Sequence, residues 1–323
     1  MTVIGVQKVS VSNRYAKFDF ELHRNITIVR GDSGTGKTTL YSMIADYTRL
    51  GEASGVNISS AKKCVALVDI DWENQLRSVS DSIVFVDEGA DFLASKAFAE
   101  AVKKSDNYYV IFNREGLHCL PYSVEEIYEI KTSGKFHKFA PMFKTDEKHL
   151  CYRGRKPSLK KYAAMLTEDS ESGYQFFQRY CEDNSLNCNF AGSNSNIFAW
   201  LKEHRSEAVF VIADGAAFGS EIDRVMKLDG VRNGNVRLCL PESFEWLILR
   251  SGVIHTENSG DVTEMLDDPS AYIESDKYFS WENFFEDYLV QITLNTPFQY
   301  AKRRINPVYI SKSNMSKIVA EIL

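Results

Sequence analysis

The first half of the chain is written in short apolar runs separated by stretches of helical spacing. Asn25–Arg30 (NITIVR) runs into a glycine-rich turn, and Thr38–Leu50 follows with apolar positions three to four apart. Lys63–Val68 and Ile83–Val86 are β-branched runs of the length of buried strands. A helix is expected from about Leu93 to Lys104, then a strand at Tyr108–Phe112. Glu126–Lys131 and Lys135–Phe139 flank Thr132-Ser133-Gly134, a hairpin turn signal. Strands that alternate with helices predict an α/β domain with a mostly parallel sheet and helices on both faces.

The pattern dissolves between about Pro141 and Lys161 and then restarts. Ala163–Leu166 leads into Glu168-Asp169, and a helix is expected over Gly173–Cys181. Asn187–Phe190 reads as a strand ending at Gly192, followed by a helix over Asn196–His204. Ala208–Ala213 is a strong apolar strand ending on Asp214. Glu221–Leu228 is helical, and Val236–Leu240 is a fourth strand ending at Pro241. Residues 257–287 hold ten acids against one lysine, interleaved with Tyr278, Phe279, Trp281, Phe284 and Phe285; the latter part is expected to be an amphipathic acidic surface helix. The expected organisation is thus a domain over 1–145, a basic linker over 146–161, and a second, smaller α/β domain over 162–323 with an acidic helical end.

Composition changes this picture little. With 323 residues, 44% hydrophobic and 25% charged, the chain has room for two ordinary cores. The net charge of −6 gives the whole chain no reason to coat nucleic acid, so any such contact must be local. The one basic stretch is residues 151–161 of the linker, where Arg153, Arg155, Lys156, Lys160 and Lys161 stand without an acid; it is either a solvated connector or a contact to a phosphate backbone. Six cysteines without a CxxC pair or nearby zinc-ligand histidines predict free thiols in a reducing compartment. The first residues lack a signal-peptide pattern and no apolar stretch approaches the roughly 20 residues that span a bilayer, so a cytoplasmic protein without membrane contact is expected.

The chemistry concentrates at Gly31-Asp32-Ser33-Gly34-Thr35-Gly36-Lys37-Thr38, which fits GxxxxGK[ST], the P-loop or Walker A motif, at every fixed position, with Thr39 beside it. Glycines let the backbone curl so that its N–H groups converge on phosphates, and the following helix adds its dipole. Lys37 would meet the β and γ phosphates, and the Thr38 hydroxyl would ligate Mg²⁺. Ser82–Val86 then delivers Asp87 and Glu88 to a strand end, where ligands bind in open α/β sheets. Asp87 is the expected Mg²⁺ partner and Glu88 the group that orients or deprotonates water. Asn113, at the end of the next strand, is either a γ-phosphate sensor or a turn residue, and Arg114 beside it is a weaker candidate for an arginine finger. Read without chemistry, the same features are a glycine-rich turn and an acidic strand end.

This arrangement resembles the ABC/AAA-like branch of P-loop ATPases, which implies ATP rather than GTP and hydrolysis through the Asp-Glu pair. The likeness covers roughly residues 1–140. No LSGGQ-type signature occurs, and Asn113-Arg114 stands where ABC ATPases carry a histidine switch, so a compact ATPase is the expectation. In the second half, Glu168, the strand ending at Gly192, and Asp214 resemble the Toprim fold, the Mg²⁺-binding domain of topoisomerases, primases and nucleases of the overcoming-lysogenization-defect type. That resemblance puts Glu168 and Asp214 in metal-binding positions, with Asp169 adjacent, but Ala216 falls where the family has a second aspartate. Glu242 or Glu245 could help, and Glu221 is a weak substitute. Carboxylates complementing helix N-termini are the bland alternative.

The pairing implies a Mg-dependent ATPase that gates a Toprim-like domain acting on DNA or RNA, in defence against phage or mobile DNA, and a homo-oligomer is expected. The rival is a nucleotide-dependent switch whose degenerate second domain binds a protein partner. A small-molecule kinase fits less well, since no lid segment is apparent.

Overall fold

A computed structural model describes residues 4–143, 159–254, 259–274 and 277–323. It is an α/β protein with one large, mostly parallel sheet and a second, wholly parallel sheet, and it divides into two compact units. The first comprises Met1–Phe143 with Ser270–Phe279, and the second Lys144–Pro269 with Ser280–Leu323. Most of the basic stretch, including Arg153, Arg155 and Lys156, lies outside the described residues. No helix among the described residues is long and apolar enough to cross a membrane.

In chain order the first unit runs β1 (Gln7–Ser12), β2 (Lys17–Leu22), β3 (Ile26–Arg30), α1 (Lys37–Leu50), β4 (Asn57–Ser60), β5 (Lys63–Leu67), α2 (Trp72–Arg77), β6 (Ser82–Val86), α3 (Lys96–Lys103), β7 (Tyr108–Phe112), β8 (Ile127–Ser133) and β9 (Phe136–Pro141). The sheet order is β4-β1-β2-β9-β8-β3-β7-β6-β5. From β8 to β5 every pairing is parallel. Strands β3, β6 and β7 are buried at every position, which is why they read as continuous apolar runs. At the other end β1, β2 and β4 pair antiparallel and alternate or stay half-exposed. Val9, Phe18, Phe20 and Leu22 face inward there and share a core with Leu40, Met43 and Ile44 of α1 and with Phe85 and Val110. This hairpin was not expected from the sequence, although β2 (KFDFEL) carries the period of two that marks a half-buried strand.

Two expected elements shift. The helix expected from Leu93 begins at Lys96, because Ser95 caps it by accepting from the Phe98 N–H, and a short 3₁₀ turn at Asp91–Ala94 precedes it. The hairpin turn falls on Gly134-Lys135, with Gly134 at φ 61°, since Ser133 already pairs with Phe136.

The second unit contains β10 (Ala164–Thr167), α4 (Ser172–Asp183), β11 (Asn187–Phe190), α5 (Asn194–Glu203), β12 (Val209–Ile212), α6 (Ile222–Met226), α7 (Asp229–Arg232), β13 (Val236–Cys239), α8 (Phe244–Arg250), α9 (Ser259–Asp267), α10 (Trp281–Thr293) and α11 (Lys312–Val319). All four strands run parallel in the order β11-β10-β12-β13. The chain leaves β10 to one side and returns to the other, so β10 and β12 flank a topological switch point. Helix α10 is amphipathic as expected but does not simply coat the surface. Trp281, Phe285, Leu289 and Thr293 are buried, and Glu282 turns inward with them.

Candidate functional site

The parallel register brings the first unit's chemistry to one sheet edge. Val29 pairs with Phe112 and Val86 with Ile111, so the residues after β3, β7 and β6 emerge side by side. The Asn113 N–H donates to the Val29 carbonyl at 3.2 Å, which holds the two strand ends together. Strand β7 therefore separates the glycine loop from the Asp87-Glu88 strand by a single position.

The loop itself is curled by three left-handed glycines, Gly31 (φ 131°), Gly34 (φ 85°) and Gly36 (φ 102°). Other residues adopt such φ values only at a cost. A Cβ on Gly36 would also meet the Phe18 ring and His137, which stack on each other at 4.3 Å. Helix α1 starts here without a side-chain cap; its ladder begins with Leu40 N–H donating to the Gly36 carbonyl. The amide N–H groups of its first turn are thus available to an anion. Lys37 is buried, 6% exposed, and its Nζ donates to the carbonyls of Gly31 and of Asp32, the latter at 3.0 Å. These residues fit a polyphosphate: donors, dipole and a positioned cation converge on one loop. The rest of the loop is ordered within itself, with Thr35 Oγ1 donating to the Asp32 carbonyl at 3.0 Å, while Ser33, Thr38 and Thr39 are exposed.

Asp87 and Glu88 are half-buried at the end of β6. Burial pushes the Tyr41 phenol up and the Asp87 charge pushes it further, which places Asp87 close to the first turns of α1. Glu88 faces two cations. Its Oε1 lies 2.7 Å from Arg114 Nε, and its Oε2 lies 3.9 Å from Lys37 Nζ. The Arg114 guanidinium also donates to Ser33 Oγ at 3.3 Å. Asn113 takes the turn role: its side-chain amide donates to the Glu115 carbonyl at 2.8 Å. The residue that reaches the loop from the end of β7 is its neighbour Arg114.

The second unit gathers carboxylates at its switch point. Glu168 follows β10 and Asp214 follows β12, and the Asp214 N–H donates to Glu168 Oε2 at 3.2 Å. The turn beyond Asp214 is fixed by Gly215, whose N–H donates to the Pro241 carbonyl at 2.6 Å and whose missing Cβ would collide with the Leu240 carbonyl oxygen. Ala216 is buried in this turn, and Glu221 is committed to Arg224 at 3.3 Å. The network includes four residues from later in the chain. Glu245 of α8 is fully buried; it accepts from Tyr300 Oη at 2.5 Å and from Lys302 Nζ at 3.1 Å. Lys302 also lies 3.5 Å from Glu282 of α10.

Burial pushes the Glu168 carboxyl up to about 8, helped by the Glu282 charge and opposed by the Asp214 N–H and by Lys302. Asp214 and Glu282 are raised as well, first by burial, with Lys302 opposing. Burial alone would lower the Lys302 ammonium, but Asp214, Glu245 and Glu282 more than offset it and hold it charged. Glu168, Asp169, Asp214 and Lys302 line a crevice of about 30 Å³, room for one or two waters or a small ion. Among the described residues no group of three or more His, Cys, Asp or Glu side chains is arranged to hold a metal ion. Two carboxylates with waters or a phosphate would meet the needs of Mg²⁺, so Glu168 and Asp214 fit a single cation. Glu282 and Lys302 carried no sequence signal, because their place here depends on how the last helices pack.

No known family model matches the chain, and no curated protein matches it.

Proposed function

We propose that the chain is a Mg²⁺-dependent ATPase whose nucleotide state gates a Toprim-like second unit acting on nucleic acid, with defence against phage or mobile DNA as the setting. The observation that supports the ATPase reading is the meeting of Lys37 and Glu88 over a loop curled by Gly31, Gly34 and Gly36. In this reading the amide N–H groups of Gly34–Thr38 and the Lys37 ammonium bind the phosphates. Thr38 and Asp87 are the residues to hold Mg²⁺, which neutralises phosphate charge when bound. Glu88 accepts a proton from water as the water oxygen bonds to the γ-phosphorus. The bond to the β-phosphate oxygen breaks and ADP leaves with the electron pair. The test is ATP hydrolysis with Mg²⁺, in which Glu88→Gln retains binding and loses turnover.

For the second unit, Glu168 and Asp214 support cleavage at a one-cation site. The Lys302 ammonium favours a second reading, because a built-in cation among the carboxylates lowers their need for a metal. In that reading the unit is degenerate and the chain is a nucleotide-dependent switch for a protein partner. A nuclease assay with Mg²⁺ or Mn²⁺ separates the two: cleavage lost in Asp214→Ala supports the first, and equal cleavage by both proteins, or none by either, removes it.

A further inference from the structure

We infer that Arg114 is a switch between the base and the terminal phosphate, holding Glu88 in one arrangement and releasing it for the γ-phosphate of a bound triphosphate in the other. The inference rests on the phosphate-site reading above and deepens it.

Both oxygens of Glu88 face cations, Arg114 at 2.7 Å and Lys37 at 3.9 Å. With its oxygens turned to these two side chains, Oε1 is already occupied by a donor and is not open to a water. The group proposed as the base must therefore be freed before hydrolysis. Arg114 is placed to make that step depend on the ligand. It reaches from the end of β7 to the glycine loop, where its guanidinium contacts Ser33 Oγ at 3.3 Å, so it stands at the loop that would cradle the phosphates while still paired with Glu88. The side chain is 56% exposed, so it can swing with little desolvation, and ion pairs this exposed are weak. A terminal phosphate offers more negative charge than one carboxylate, and its oxygens match the fork of a guanidinium. A diphosphate lacks that group, so Arg114 stays on Glu88. Asn113, the neighbouring candidate, spends its amide on the Glu115 carbonyl.

The consequence is discrimination by the number of phosphates, which a purely structural ion pair would not produce. Equilibrium binding of a non-hydrolysable ATP analogue and of ADP, both with Mg²⁺, tests it on the full chain. Wild type should prefer the triphosphate. Arg114→Ala should weaken triphosphate binding roughly tenfold, the loss of one charge-assisted contact, while ADP binding changes less than about twofold. Glu88→Gln frees Arg114 from its competitor and should tighten triphosphate binding several-fold, a gain that disappears in Arg114→Ala/Glu88→Gln. Arg114 is exposed enough that circular dichroism should show every variant folded. If Arg114→Ala keeps the wild-type ratio of triphosphate to diphosphate affinity, the switch is refuted and the phosphate site stands. If folded wild type binds neither nucleotide, the phosphate site and the switch fall together.

Discussion

The two units place carboxylates at the same kind of location, the C-terminal ends of parallel strands, and surround them with opposite electrostatics. In the first, Asp87 and Glu88 meet an exposed arginine and a lysine carried on a glycine loop with uncapped amides. That arrangement sets two cations against two carboxylates and leaves the loop amides as unfilled donors, which suits a polyanion. In the second, Glu168, Asp214, Glu245 and Glu282 are packed around Lys302, and burial raises the carboxyl groups at Glu168, Asp214 and Glu282. Here carboxyl groups outnumber the one cation and burial disfavours their charged forms, so a cation bound beside them would favour their ionisation. Strand order alone would have made the sites look alike; the residues beyond the strand ends decide what each can bind.

The largest effect that sharpens the contrast is expected at the base. Glu88→Gln should lower ATP turnover by roughly 10²–10⁴-fold while ATP still binds. Steady-state hydrolysis beside equilibrium binding checks this, and turnover at the wild-type rate would remove Glu88 from the role. Next comes Lys302→Met. Deleting the cation strands Glu245 and leaves Asp214 and Glu282 without their counter-charge, so the second unit should lose about 3 kcal/mol of stability. Mn²⁺ should restore part of that loss in urea melts, and an unchanged midpoint in the absence of metal would show that Lys302 does not balance these carboxylates. The smallest change is Gly215→Ala. A Cβ against the Leu240 carbonyl forces the turn after Asp214 to shift, at about 1–3 kcal/mol. Urea denaturation should register it as a lower midpoint, and a wild-type midpoint would show that the turn accommodates the added methyl.

The comparison also explains what could be read from the chain beforehand. Gly31–Thr38, Asp87 and Glu88 are legible because a loop and a strand end are local, and their residue types follow from the chemistry of phosphate binding. Strands β3, β6 and β7 are legible because burial on both faces leaves an unbroken apolar run. Strands β1 and β2 are signalled only by an alternation of two, which a search for continuous runs passes over. Glu282 and Lys302 were beyond reach for a different reason. An acidic helix looks the same in sequence whether its glutamate meets water or a half-buried lysine, and only the packing of Trp281, Phe285 and Leu289 brings Glu282 against Lys302. Likewise nothing local says that Arg114 rather than Asn113 reaches the loop; the turn bond to Glu115 decides it.

Titration of wild type and Lys37→Ala with Mg²⁺–ATP decides whether the glycine loop and Lys37 form the proposed nucleoside-triphosphate site. Saturable binding by wild type is expected, with a loss of roughly 10–100-fold or more in Lys37→Ala, the value of charge-assisted contacts to phosphate. Equal affinity of the two folded proteins, or no binding by wild type, would contradict it.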